Sequence, residues 1–127
     1  QGLLNVARVK CPSATFLVAD VNSFVFPNNI DIVFAFASLI HLDKKRFGLL
    51  FKKLFIAMNP LGIVRLSMKY DKKYKALTKQ DEFGTRTYYY YSDKEVLALA
   101  KGFKTLKNSI EHFQDQDWIE LTLQKSA

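Results

Sequence analysis

The stretch that most constrains the fold runs from Asp31 to Tyr70. It opens with DIVFAFA, an acid followed by six apolar residues without polar alternation, the pattern of a strand covered on both faces. Small residues, Ala35, Ala37 and Ser38, crowd its end, and His41 follows three positions later. The period then changes. From Asp43 the apolar residues Phe47, Leu50, Phe51, Leu54, Phe55 and Met58 recur at helical spacing with lysines between them, so one face is buried and the other basic. Asp43 is a fitting N-cap, Asn59-Pro60-Leu61-Gly62 ends the helix in a turn, and IVRLSMKY (63–70) reads as another strand. Strand, helix and strand at this spacing make a βαβ crossover, which commits the chain to an α/β sheet with a parallel pair.

The flanking segments extend that sheet. GLLNVARVK (2–10) reads as the tail of a helix stopped by Cys11-Pro12, and ATFLVADV (14–21) as a strand buried on both faces that ends at Asp20. Residues 71–87 are charged and weakly periodic, which predicts a mobile loop. Ser92 with Glu95 forms a capping box for a short helix running to Gly102, a suitable C′ residue. FKTLKNSIEHF and DWIELTLQK, joined by Gln-Asp-Gln, predict a closing hairpin whose second strand places Ile119, Leu121 and Leu123 on one face. The order α, β, β, α, β, loop, α, β, β predicts a mainly parallel sheet with helices on both faces and an antiparallel hairpin at the end.

Composition narrows the class. A chain of 127 residues with 49% hydrophobic and 14% aromatic residues is expected to be one packed domain, not a disordered or fibrous one. It has no apolar run near the roughly 20 residues of a membrane span and no signal-peptide pattern, and its lone Cys11 supports neither a disulfide nor a zinc cluster. A cytoplasmic protein without a membrane partner or metal is the expectation. The formal charge of +7 is divided between two groups, Lys44 to Lys53 and Lys69 to Lys79, which reads as solvated faces more than as one polyanion site. Tyr88 to Tyr91 among basic residues would suit base stacking, but no RNA-binding motif accompanies them, so nucleic-acid binding ranks third among the readings. The chain begins with Gln1 and not Met, which predicts a fragment of a longer protein.

In their order, these segments resemble the C-terminal two-thirds of a class I S-adenosylmethionine-dependent methyltransferase of the small-molecule type. CPSATFLVADVNSFVFP is similar to the family strand ending in an acid and an apolar residue, here Asp20 and Val21. DIVFAFASLIHLDKKRF resembles the fourth strand and its loop, LFIAMNPLGIVRLSMKY the helix, Pro-Gly turn and fifth strand. FGTRTYYYYSDKEVLALAKGFKTL looks like the later part of a branch with a Ser-x-Lys strand end, a Gly-x-Arg and aromatics, and a helix ending in Gly-Phe. The family's first strand, Gly-rich loop and ribose-binding acid have no counterpart: the five glycines form no G-x-G-x-x-G.

The resemblance implies a Rossmann-like methyltransferase sheet lacking its first strands and covering residues 1–127 as a single domain. It implies S-adenosylmethionine as cofactor, with Asp20 and Val21 at the adenine and Phe36, Ala37 and Ser38 as a wall of the cofactor site. Against this, Asp20 alone is a turn-forming acid, and small residues alone permit tight packing. His41 is the candidate proton acceptor, since imidazole is the side chain suited to general acid–base work. Lys69, on the same strand face as Ser67, and Arg86 with Tyr88 are candidates for binding a carboxylate or phosphate on a small-molecule substrate. The expected activity is methyl transfer, provided that the longer protein supplies the front of the fold. The alternatives are an inactive methyltransferase-like module, self-associating through exposed strand edges, and a basic nucleic-acid binder.

Overall fold

The computed structural model describes residues 2–127. Its elements are α1 (Gly2–Lys10), β1 (Ile30–Phe36), α2 (Lys44–Ala57), β2 (Met58–Lys69), β3 (Lys75–Asp81), β4 (Gly84–Tyr90), α3 (Asp93–Leu99), β5 (Phe103–Phe113) and β6 (Gln116–Lys125). The Asp43 carboxylate accepts the Arg46 backbone N–H at 2.9 Å and so starts α2. At the other end Lys125 reaches across from β6 and donates to the carbonyls of Phe55 and of Met58, the latter at 2.7 Å. A cation there satisfies carbonyls that the helix leaves without partners and opposes the negative end of its dipole.

β1 and β2 are parallel, joined through α2, so the crossover expected from the sequence is present. The four-stranded sheet has the order β1-β2-β6-β5, and both the β2–β6 and β6–β5 pairings are antiparallel. Among the described residues the sheet is therefore mixed, not mainly parallel. The closing hairpin is as expected, and its turn at Gln114 and Asp115 takes positive φ at both residues.

Four further expectations need correction. Residues 14–20 form no strand: Leu17 and Val18 are 62% and 68% exposed, and no strand among the described residues lies alongside to share a ladder. Residues 71–87, expected to be a loop, carry most of a second sheet, the β3–β4 hairpin, closed where Asp81 Oδ1 accepts the Phe83 N–H and Gly84 takes a φ of 117°. Every β3 residue is exposed, so no buried face imposed a period of two on the sequence. The Asn59 to Gly62 turn lies inside β2: pairing jumps from Ile30–Met58 to Ile32–Ile63, and a Cβ on Gly62 would meet Asn59 O at 3.0 Å and Asp31 O at 3.2 Å.

The fourth correction concerns the layers. Val64, Leu66 and Met68 of β2 and Ile119, Leu121 and Leu123 of β6 form one core with Phe47, Leu50, Phe51 and Leu54 of α2 and Val96 of α3. α2 and α3 thus cover the same sheet face, and α1 contributes no buried residue. α3 begins at the complete Ser92–Glu95 capping box and joins α2 through a Lys44–Glu95 ion pair at 2.7 Å. Gly102 follows it with a φ of 88°, where a Cβ would press into the Phe55 ring. On the opposite face of β1, Ile32, Phe34 and Phe36 remain exposed.

Candidate functional site

In open α/β sheets ligands bind outside the carboxyl ends of the parallel strands. At that end β1 runs into Ala37, whose φ of 51° is a left-handed conformation that a larger or branched residue resists. Its N–H is shared between two acceptors on buried Ser67, the hydroxyl at 2.9 Å and the carbonyl at 3.2 Å. Locally, then, the small residue is needed to turn the chain against the neighbouring strand.

The loop that follows meets the β3–β4 hairpin. Tyr89 N–H donates to Ile40 O at 2.8 Å, and His41 Nδ1 lies 2.8 Å from Thr87 O, a separation that places the ring proton on Nδ1 because a carbonyl can only accept. The His41 and Tyr88 rings are 4.7 Å apart. Beneath them Tyr91 N–H donates to Lys69 O at 3.0 Å, and the fully buried Tyr91 hydroxyl donates to Leu42 O. Burial pushes the Tyr91 phenol well above its ordinary range, so it acts as a fixed donor.

Four residues singled out in the sequence converge here. The Lys69 ammonium is 4.3 Å from the Tyr88 ring centroid, His41 packs against the same ring, and the Arg86 guanidinium is 5.9 Å from it. Arg86 is tied to Asp81 by an ion pair that holds the Asp81 carboxyl below its usual range. Two further side chains join that were not singled out. Lys79 approaches Tyr88 at 5.5 Å, and Trp118, paired with Lys69 across the β2–β6 ladder, lies 6.0 Å from its ammonium. A signal for Trp118 existed, since it alternates with Ile119, Leu121 and Leu123 and so points away from the core.

The residues expected at a cofactor take no part in the ring and cation contacts of this cluster. Asp20 is exposed and begins a turn: its Oδ1 accepts the Asn22 N–H at 2.9 Å and its carbonyl accepts from Phe24 at 2.8 Å. Val21 and Ser38 line one cavity of about 210 Å³, walled by Phe26, Val33 and Leu50, while Phe36 and Ala37 face outward. That space is below the roughly 300 Å³ at which pockets for whole cofactors begin. Apolar walls suit a flat heterocycle such as adenine, while Asp20, next in the chain to Val21, stands outside that lining. The described residues supply neither a Gly-rich loop nor a strand-end acid for the rest of such a cofactor, so the fit extends to the adenine portion only.

No family model matches the chain, and no curated protein sequence matches it. Solved structures do. A SAM-dependent methyltransferase from Methanosarcina mazei aligns over 89% of this chain and 68% of its own, with a TM-score of 0.78 and 15% identity. The 1,6-didemethyltoxoflavin-N1-methyltransferase of Burkholderia thailandensis, solved with 1,6-didemethyltoxoflavin and S-adenosylhomocysteine, aligns over 98% of this chain and 56% of its own, at a TM-score of 0.76 and 14% identity. An S-adenosylmethionine-dependent methyltransferase from Clostridium acetobutylicum aligns over all of this chain and 72% of its own, at a TM-score of 0.76 and 10% identity. Sequence identities this low speak to architecture alone, and what they establish is that residues 2–127 have the fold of the class I S-adenosylmethionine-dependent methyltransferases.

Proposed function

We propose that the protein is, or is part of, an S-adenosylmethionine-dependent methyltransferase acting on a small molecule in the cytoplasm, with residues 1–127 as a single domain. The observation that carries this reading is the convergence of His41, Lys69, Arg86 and Tyr88 at the carboxyl end of β1 and β2, on a fold whose solved neighbours include a small-molecule methyltransferase with S-adenosylhomocysteine bound. Asp20, Val21 and Ser38 would hold the adenine portion, and Phe36 and Ala37 would border the remainder. The cofactor supplies an activated methyl group when bound. The protein's part is to orient the acceptor and keep water out, with His41 Nε2 free to take a proton because Nδ1 is engaged with Thr87 O. Calorimetric titration with S-adenosylhomocysteine is the test. Saturable binding weakened by Asp20→Ala is the expected result, and absence of binding to the folded protein would overturn the reading.

A second reading has an observation of its own. The exposed Ile32, Phe34 and Phe36 lie on β1, which borders the sheet. Apolar side chains beside a free row of backbone groups favour association with another strand. On this reading the chain is an inactive, methyltransferase-like assembly module. Sedimentation equilibrium distinguishes the two, because a dimer dissociated by Phe34→Lys that shows no S-adenosylhomocysteine binding supports assembly, whereas a monomer that binds the ligand rules it out.

A further inference from the structure

Around Tyr88 and Tyr90 the charges do not balance. Four cations lie over these two rings: Lys69, Lys79 and Arg86 at Tyr88, and Lys75 at Tyr90, where Lys69 also approaches at 5.5 Å. Arg86 has Asp81 as its partner and Lys75 has Asp71 at 3.0 Å. Among the described residues no carboxylate lies within 4.0 Å of Lys69 or Lys79, and neither ammonium donates a hydrogen bond to a protein atom. Lys69 differs from Lys79 in its setting. It ends β2, is half-buried, and its ammonium is ringed by Tyr88, Tyr90 and Trp118.

Aromatic faces attract an ammonium and fix its position, but they supply no oxygen acceptor for its three N–H groups. The ring cage therefore holds Lys69 at the carboxyl edge of the sheet with its donors unused. Arg86, by contrast, is engaged with Asp81. We infer that Lys69 is the anchor for an anionic oxygen group, carboxylate or phosphate, on the substrate, with Lys79 adding long-range attraction and Arg86 bracing the hairpin. This rests on the methyltransferase reading for the word substrate and narrows the acceptor to an acid. Trp118 and the Tyr88 ring complete the wall of that subsite.

Trp118 is the single tryptophan of the chain and reports on its own neighbourhood. The experiment is a fluorescence titration of the protein with benzoate, phenyl phosphate and neutral benzamide. Saturable quenching by benzoate, by phenyl phosphate or by both is expected, with the stronger of the two naming the group. Because a charge-assisted hydrogen bond is at stake, Lys69→Gln should weaken the binding about tenfold or more while Lys69→Arg restores most of it. Lys79→Gln should lower affinity less and reduce mainly the salt dependence. Equal binding of benzamide, unchanged affinity in Lys69→Gln, or no saturation with either anion overturns the assignment. S-adenosylhomocysteine titrated into the same samples keeps the two readings apart. Undiminished nucleoside binding in Lys69→Gln supports a separate acceptor subsite, and anion binding without any nucleoside binding overturns the substrate role.

Discussion

Alternate residues of the same strands meet opposite surroundings. Val64, Leu66 and Met68 lie sealed under α2 and α3, at most 1% exposed, whereas Phe34, on the other face of the sheet, is 62% exposed. One face is a close-packed interior, and the other carries Ile32, Phe34, Phe36 and Arg65 in the open, with Lys69 and Trp118 at its carboxyl edge. α2, α3 and one sheet face therefore supply most of the cohesion here. The second face is left for chemistry or for contact with other chain.

That division can be tested by substitution. Leu66→Ala removes a fully buried side chain and should cost about 3 to 5 kcal/mol in urea unfolding. Gly102→Ala places a methyl against Phe55 at a φ of 88° and should cost about 1 to 3 kcal/mol. Ser92→Ala removes the capping box that starts α3 and should cost about 1 kcal/mol. Phe34→Ala on the open face should change stability by less than about 0.5 kcal/mol. A loss there as large as that of Leu66→Ala would show that something covers the face in solution.

The smallest effect is electrostatic. Hydrogen bonds from Lys75 to Asp71 and from Arg86 to Asp81 hold both carboxyls below their usual range. A folded-state value lower than the unfolded one contributes stability above the ordinary carboxylate pKa, near about 4, and loses it as pH falls through the depressed folded value. Both pairs are solvent-exposed, so the effect is slight. Carboxyl chemical shifts followed from pH 6 downward should show both titrating below free aspartate, and Asp81→Asn should make hairpin melting less sensitive to acid. Titration at the free value would mean that the pairs do not persist.

How much of this was legible follows from what each signal depends on. The Asp43 cap, the α2 periodicity, the Ser92–Glu95 box and the closing hairpin are local patterns, and the structure shows all of them; Gly102 takes a positive φ but lies two residues past the Ala100 C-cap, not at C′. Residues 14–20 were misread because a run of apolar residues states only that cover is needed, not that a ladder is present. The β3–β4 hairpin was missed for the reverse reason, since its first strand buries nothing. In the site, the meeting of His41 with Thr87 and of Lys69 with Trp118 depends on contacts 46 and 49 positions apart, which no periodicity encodes. Asp20 shows the limit of residue type, since a turn acid and a nucleoside ligand look alike in sequence.

Ala37 and Ser67 tie the end of β1 to the strand that carries Lys69, while Tyr89 N–H and Thr87 O fasten the following loop to the hairpin. Those last two bonds act as a clasp, and parting the loop from the hairpin breaks them together. The exchange rate of the Tyr89 amide proton with solvent is therefore a clock for that opening, readable before any substrate is known.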